Sequence, residues 1–273
     1  MQNRVWLITG CSSGFGRELA LAAAAAGDRV MATARRPETL TPLTRHDGIR
    51  ATTLDVTDPD SIRTAVTETL DAYGRIDVLV NNAGSLVLGA VEEFTMAELR
   101  QQLEVVFFGA AEVTKAVVPL MRAQGSGTIV QMSSLGGRKT YPAFGAYHAA
   151  KWALEGFSET LAAEVAPHGV HVLIVEPGAF RTAFNDNKHV TRELAAYRDT
   201  AGATRQLTVD LTDAEPNDPV KGAAAILTAV DSPHPPLRLL LGGDAVDGLR
   251  AHHEALLAEV TAWEQLSRST AVA

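Results

Sequence analysis

Residues Arg4–Gly16 read RVWLITGCSSGFG, an apolar run that passes without a break into a loop of three glycines. VWLI at Val5–Ile8 is short, continuous and flanked by turn residues, which is how a strand buried on both faces reads. Beyond it, TGCSSGFG at Thr9–Gly16 opens into the alanine-rich stretch Arg17–Ala26, a helix ending at Gly27. A strand, a glycine turn and a helix N-terminus in that order bring free backbone N–H groups against a phosphate. The spacing of Gly10, Gly14 and Gly16 is GxxxGxG. Its glycines serve turning and close backbone approach to a ligand. The other possibility is a β–α turn that binds nothing, and no Lys-Ser/Thr follows Gly16, which argues against a P-loop.

Working outward, the same alternation repeats. Apolar runs predict strands at Arg29–Ala34, Ala51–Val56, Asp77–Asn82, Thr128–Ser133, His171–Pro177 and Leu237–Gly242. Between them, helical periodicity covers the stretch from Asp58–Pro59 to Gly74, then Met96–Ala123, Tyr147–Ala166, Asp218–Val230 and Asp244–Leu266. Such alternation predicts an α/β fold: a single domain over 1–273, built as a doubly wound parallel sheet with helices on both faces. The stretch 185–217 breaks the rhythm, with helical hints only around Arg192–Arg198, and reads as a substrate loop or lid.

Bulk properties narrow the function. The chain has 273 residues, 46% hydrophobic and 21% charged, with a formal net charge of −8 and scattered Lys and Arg. That is a globular composition without the clustered basic patch that nucleic acid or an anionic membrane requires. Cys11 is the single cysteine, so no intramolecular disulfide can form. The apolar segments are too short for a signal or membrane span, and the expected location is the cytoplasm.

At the end of the second strand, an acid would hydrogen-bond the ribose 2′-hydroxyl of NAD. Here Ala34 stands near that position and Arg35 and Arg36 come next, so NADP(H) is favoured over NAD(H). Further along, AYHAAKWA at Ala146–Ala153 places Tyr147 and Lys151 four residues apart on one helical face. Alone, that spacing equally describes a polar surface stripe.

Taken in order, TGCSSGFG, NNAG (Asn81–Gly84), Ser134 with YHAAK (Tyr147–Lys151) and PGAFRT (Pro177–Thr182) resemble the short-chain dehydrogenase/reductase family. The SSLGG stretch and the segment from Tyr147 to Val172 are most similar to its 17β-hydroxysteroid dehydrogenase-like branch. The resemblance implies a Rossmann fold and a metal-free hydride transfer between a nicotinamide and an alcohol or carbonyl carbon. It implies that Tyr147 is the acid/base, that Lys151 lowers the Tyr147 pKa and holds the nicotinamide ribose, and that Ser134 binds the substrate oxygen. It assigns Gly10, Ser12, Ser13, Gly14, Phe15 and Gly16 to the cofactor loop, and Ser12 and Ser13 with Arg35 and Arg36 to the 2′-phosphate. It further places Asp55 and Val56 at the adenine, Asn82, Ala83 and Gly84 at the adenosine side, and Pro177, Gly178 and Thr182 at the nicotinamide amide. Its members often dimerise through the helices matching Met96–Ala123 and Tyr147–Ala166, so a homodimer or homotetramer is expected.

One position departs from the family. Its central helix usually carries an asparagine that bends the helix and supports a proton-relaying water; Val106 stands there. Either the relay survives with reduced efficiency, or the protein is a nucleotide-binding sensor or scaffold that catalyses poorly. His148 points to another face than Tyr147, and His252–His253 read as solvated, with no metal-ligand spacing nearby. Leu86, Phe144, Phe180 and Phe184 either line a pocket for a hydrophobic carbonyl or alcohol substrate or plug core edges.

Overall fold

In the computed structural model, which describes residues 3–184, 188–210 and 214–272, strand and helix alternate as the apolar runs imply. β1 (Val5–Ile8), α1 (Gly14–Ala25), β2 (Arg29–Ala34), β3 (Ile49–Thr53), α2 (Pro59–Tyr73), β4 (Val78–Asn81) and a short β5 (Leu86–Leu88) form the first half. Next come α3 (Met96–Leu103), α4 (Gly109–Gln124), β6 (Gly127–Met132), α5 (Gly145–Val165) and β7 (Val170–Pro177). The chain then forms β8 (Lys188–Val190), α6 (Ala203–Asp210), α7 (Pro219–Asp231), β9 (Arg238–Leu241) and α8 (Gly243–Arg268).

Seven strands make one parallel sheet in the order β3-β2-β1-β4-β6-β7-β9. Successive side chains of a strand point to opposite faces, and here both faces are covered. Trp6 and Ile8 pack with Leu19, Val30 and Ile226 on one side. Leu7 packs with Met31, Leu79, Val117 and Met121 on the other. That two-sided burial is why the strands read as unbroken apolar runs. The strand order reverses at β1 and β4, which opens a crevice beyond their carboxyl ends, at Thr9 and Asn82.

Local chemistry sets the helix ends. The Asp58 carboxylate accepts from Asp60 N at 2.9 Å, with Pro59 opening α2. Gly27 and Gly74 end α1 and α2 in the left-handed region, at φ 88° and 79°. Three elements differ from the sequence expectation. β3 starts two residues and ends three residues earlier than expected; Leu54 N still donates to Ala34 O at 3.0 Å, but the Leu54 and Val56 side chains pack with Ile62, Val66 and Val113. The helix expected over Met96–Ala123 is two helices joined by a π turn at Glu104–Phe108. The stretch expected to be a loop over 185–217 contains β8, paired in parallel with β5, and α6; residues 185–187 and 211–213 lie outside the described residues.

Candidate active site

The glycine loop is a cradle that side chains would fill. Gly10 and Gly14 adopt φ 71° and 56°, a region that costs most residues strain. A Cβ on Gly10 would lie 2.9 Å from Ala83 Cα, and one on Gly16 would lie 2.5 Å from both Asn82 Nδ2 and Gly10 O. Gly14 faces Thr182, whose Cβ would stand 3.4 Å from an added Cβ. Ser13 is the N-cap of α1 without using its hydroxyl to cap it. The loop, Asn82–Ala83 and Thr182 thus meet around a helix N-terminus whose N–H groups face the crevice, which fits a dinucleotide pyrophosphate.

Thr9 ties these segments together, a role not singled out from the sequence. Its Oγ1 accepts from Asn82 N at 2.8 Å and Ala83 N at 3.0 Å. Asn82 Nδ2 returns two bonds, to Thr9 O and Gly10 O, both at 2.9 Å. Asp55 braces the neighbouring turn by accepting from Thr57 N and Oγ1 at 2.9 and 2.8 Å. Val56 is buried beneath α4, where a Cβ on Gly109 would come within 2.7 Å of its Cγ2. Ser12, Arg35 and Arg36 are exposed at the mouth of the crevice. Phe15 instead turns its ring onto Phe180, with centroids 4.8 Å apart, under Gly222 of α7. Phe180 is therefore a core plug.

Tyr147 and Lys151 sit on the first turns of α5, and both are buried. Ser134 lies at the end of β6, where its Oγ accepts from Gly136 N at 3.0 Å. Gly136 lets this loop lie on α5: a Cβ there would stand 3.3 Å from Tyr147 Cε1 and 3.0 Å from His148 Cδ2. The Lys151 ammonium donates to Met132 O at 2.6 Å and lies 5.6 Å from the Tyr147 ring centroid. Burial pushes the Tyr147 phenol up to about 12, although a hydrogen bond with Ser134 favours its phenolate. Burial also pulls the Lys151 ammonium down to about 8, with the Glu155 carboxylate one turn on acting in the opposite sense.

Behind Lys151 lies a charged layer. Glu176 meets Arg138 at 3.1 Å and Arg238 at 3.3 Å, and Arg238 also reaches Glu155 at 3.3 Å. On the cofactor side, the helix break at Glu104–Phe108 occurs where Val106 replaces the expected asparagine. The Gly109 N–H donates back to Glu104 O, one residue further than in an α-helix, and Val106 is buried. The distortion forms without a side-chain amide to hold it.

Leu86, Leu88, Ala143 and Ala201 are buried against Tyr147, with Phe144 and Tyr197 packed on them. Phe184 closes on the same ring, with centroids 5.8 Å apart. The Pro177–Thr182 segment is braced from afar: Ala179 N donates to Asp244 Oδ2 at 2.7 Å, and Asn217 Nδ2 donates to Ala179 O at 2.7 Å. The segment bearing β8 and α6 is pinned by buried Glu93. That carboxylate accepts from Ala90 N and Leu194 N at 2.8 Å each and pairs with Arg205. Neither Asp244, Asn217 nor Glu93 carries a local sequence signal. Cys11 is buried, which pushes its thiol up to about 12, so it is a packing residue. Among the described residues, no group of three His, Cys, Asp or Glu side chains could hold a metal ion, and none of the helices is long and apolar enough to cross a membrane.

Residues 4–193 match the family model of the short chain dehydrogenases. Over 272 residues, 98% of this chain and 99% of the relative, the sequence is 40% identical to oxidoreductase BOA17 of Botryotinia fuckeliana. It is 38% identical over 244 residues to the 3-ketodihydrosphingosine reductase of Bacteroides thetaiotaomicron, 89% of each chain. The crystal structure of a short-chain dehydrogenase from Streptomyces avermitilis superposes with a TM-score of 0.93 at 49% identity, covering 99% of both chains. The glycine cradle, the Ser134–Tyr147–Lys151 cluster and the seven-stranded parallel sheet belong together: this chain is a member of the short-chain dehydrogenase/reductase family, an NAD(P)-dependent oxidoreductase on a Rossmann-like fold.

Proposed function

We propose that the protein is an NADP(H)-dependent dehydrogenase/reductase interconverting an apolar ketone and its secondary alcohol, with Tyr147 as the acid/base. The convergence of Ser134, Tyr147 and Lys151 beside the glycine cradle and beneath an apolar wall carries this reading. When bound, the nicotinamide supplies or accepts the hydride at the substrate carbon. In the reducing direction, Tyr147 gives its phenolic proton to the oxygen that becomes the alcohol, and Ser134 donates a hydrogen bond to that oxygen. Lys151, fixed by Met132 O, holds positive charge near the phenolate left behind and would hold the nicotinamide ribose when the cofactor is bound.

The cofactor's other contacts run along the chain. Gly10–Gly16 take the pyrophosphate, Asp55 and Val56 the adenine, Asn82–Gly84 the adenosine side, and Pro177, Gly178 and Thr182 the nicotinamide amide. Arg35 and Arg36, exposed at the end of β2 with no acid before them, favour a 2′-phosphate together with Ser12 and Ser13. The apolar wall around Tyr147 supports a hydrophobic substrate of the kind used by the 17β-hydroxysteroid dehydrogenase-like branch. The name of the Bacteroides relative points to a ketone as well. The segment 185–217 serves as the substrate loop of a single domain. Exposed Phe108 on the π turn before α4 and Trp152 on α5, beside Phe107 and Phe157, support homo-oligomerisation through α4 and α5. A buried free cysteine accords with a cytoplasmic setting.

Purified protein tested against a panel of hydrophobic ketones, with NADPH and NADH followed at the nicotinamide absorbance band, decides the matter. Turnover favouring NADPH and lost in Tyr147→Phe is expected. Tight NADPH binding with no turnover on any ketone would instead make the protein a sensor or scaffold. No observation favours that second reading, since the helix break persists with Val106.

A further inference from the structure

α8 extends past the body of the fold. Its first two turns bury Ala245 and Leu249 against Leu135 and Leu240. From residue 253 onward every described residue is exposed. That outer part is not a polar tail: Leu256, Leu257, Val260, Trp263 and Leu266 are 43% to 67% exposed. A helical face this apolar and this bare marks an interaction surface.

The pattern on it names the partner. Val246, Leu249, His253, Leu256, Val260, Trp263 and Ser267 recur at alternating spacings of three and four, the seam of a two-stranded coiled coil. Of this seam Leu249 is buried against Leu135 and Leu240, Val246 is 36% exposed, and the outer two heptads continue the seam into solvent. We propose that the outer half of α8 pairs antiparallel with α8 of a second copy of this chain, about a two-fold axis near Ala258.

Charge selects both the occupant and the direction. At the positions flanking the seam, Arg250 and His252 lie toward the inner end and Glu259 and Glu264 toward the outer end, while Asp247, Glu254 and Arg268 lie off those flanks. Antiparallel pairing sets Val260 on Leu256 of the partner subunit and Trp263 on His253 of the partner subunit. It also sets Arg250 beside Glu264 of the partner subunit, and the symmetry repeats each contact. Among the described residues, Glu264 pairs with Arg268, one turn on and largely exposed. The antiparallel pair brings Glu259 beside Glu259 of the partner subunit once, at the axis, whereas a parallel pair would oppose Glu259 and Glu264 of the partner subunit along both flanks. A lipid surface fits poorly, because residues 254–268 carry Glu254, Glu259 and Glu264 against Arg268 alone. The paired segment spans roughly 24 Å, at 1.5 Å per residue, and its face is separate from the one that bears Phe108 and Trp152.

Sedimentation of the full chain at micromolar concentration, with NADPH binding as the control for folding, tests the proposal. Val260→Glu/Trp263→Glu should remove one association step, halving the mass, and leave NADPH binding unchanged. Glu264→Arg should weaken that step on the order of fivefold, and Arg250→Glu/Glu264→Arg should restore it. Because Cys11 is buried, a cysteine introduced as Glu259→Cys should couple to itself through a short bismaleimide, whereas Ser267→Cys should not. A monomeric wild type, an assembly indifferent to Val260→Glu/Trp263→Glu, or efficient coupling through Ser267→Cys would overturn it. So would loss, in that double variant, of binding to phosphatidylglycerol vesicles with no change in self-association.

Discussion

Lys151 is anchored by the main chain of the neighbouring strand: its Nζ donates to the carbonyl oxygen of Met132 at 2.6 Å. The anchor holds a charged group in a place where burial works against the charge and pulls its pKa down to about 8. Glu155, one turn further along α5, is the nearby carboxylate that pushes the other way.

Glu155→Gln should therefore lower the Lys151 pKa further. The charged lysine would then be lost at lower pH, and the basic limb of the kcat/KM profile should move down by about half a unit to one unit. A pH-rate series on both proteins checks this. An unmoved basic limb would show that Glu155 does not act on Lys151.

Glu93 carries the segment that covers Tyr147. Burial alone would raise its carboxyl, but the N–H groups of Leu194 and Ala90 and the Arg205 guanidinium hold it below the usual carboxylate range. Glu93→Ala leaves the mostly buried Arg205 without this partner and should destabilise the fold by about 3 kcal/mol. KM for an apolar ketone should rise with it. A carboxyl whose pKa is depressed in the folded state stabilises fully above its unfolded value of 4.5. That contribution fades as pH falls through the lower folded value. Urea titrations at pH 7 and pH 3.5 should therefore show the variant and the wild type converging in acid.

His148 gives the opposite kind of group. Burial lowers its pKa from 6.5 to about 4, so the unfolded chain takes up a proton before the folded one does. Stability should fall as pH drops from about 6.5 toward 4, by about 2 kcal/mol between pH 7 and 5 from this residue. His148→Gln should flatten that slope, which denaturant midpoints at the two pH values would reveal.

Val106→Asn should change kcat by less than about threefold, because the helix break it would support is already formed. It should also cost about 1–2 kcal/mol, since an amide would enter a buried apolar position. A large gain in kcat would show instead that the valine limits the proton supply.

The features readable from sequence were local ones. Gly27 and Gly74 at helix ends, the Asp58–Pro59 start and the GxxxGxG loop each act within a few residues of themselves. The runs at Val5–Ile8 and Val78–Asn81 betray their two-sided burial for the same reason. Thr9 was not legible as a tie, because its partners Asn82 and Ala83 are more than 70 residues away. Asp244 beneath Ala179 is likewise 65 residues from its partner, and Glu93 beneath Leu194 is 101. β5 and β8 escaped notice because strands of three residues each are defined mainly by each other. The placement of Phe15 and Phe180 against each other, not toward ligand, depends on the space left by Gly222 on a helix more than 200 residues along from Phe15.

The π turn at Glu104–Phe108 has a bearing on how this site can vary. It is a matter of residue number, since one extra residue is looped out, and it forms with a valine and no side-chain amide at position 106. Deleting any single residue of that turn would restore a regular helix and rotate α3 by about 100° relative to α4. Gln102, which donates to Ser85 O at 2.8 Å and accepts from Val87 N at 2.7 Å, would swing off β5 and take the apolar wall with it. Chains built on this site can therefore differ at position 106 far more readily than they can differ in length across it.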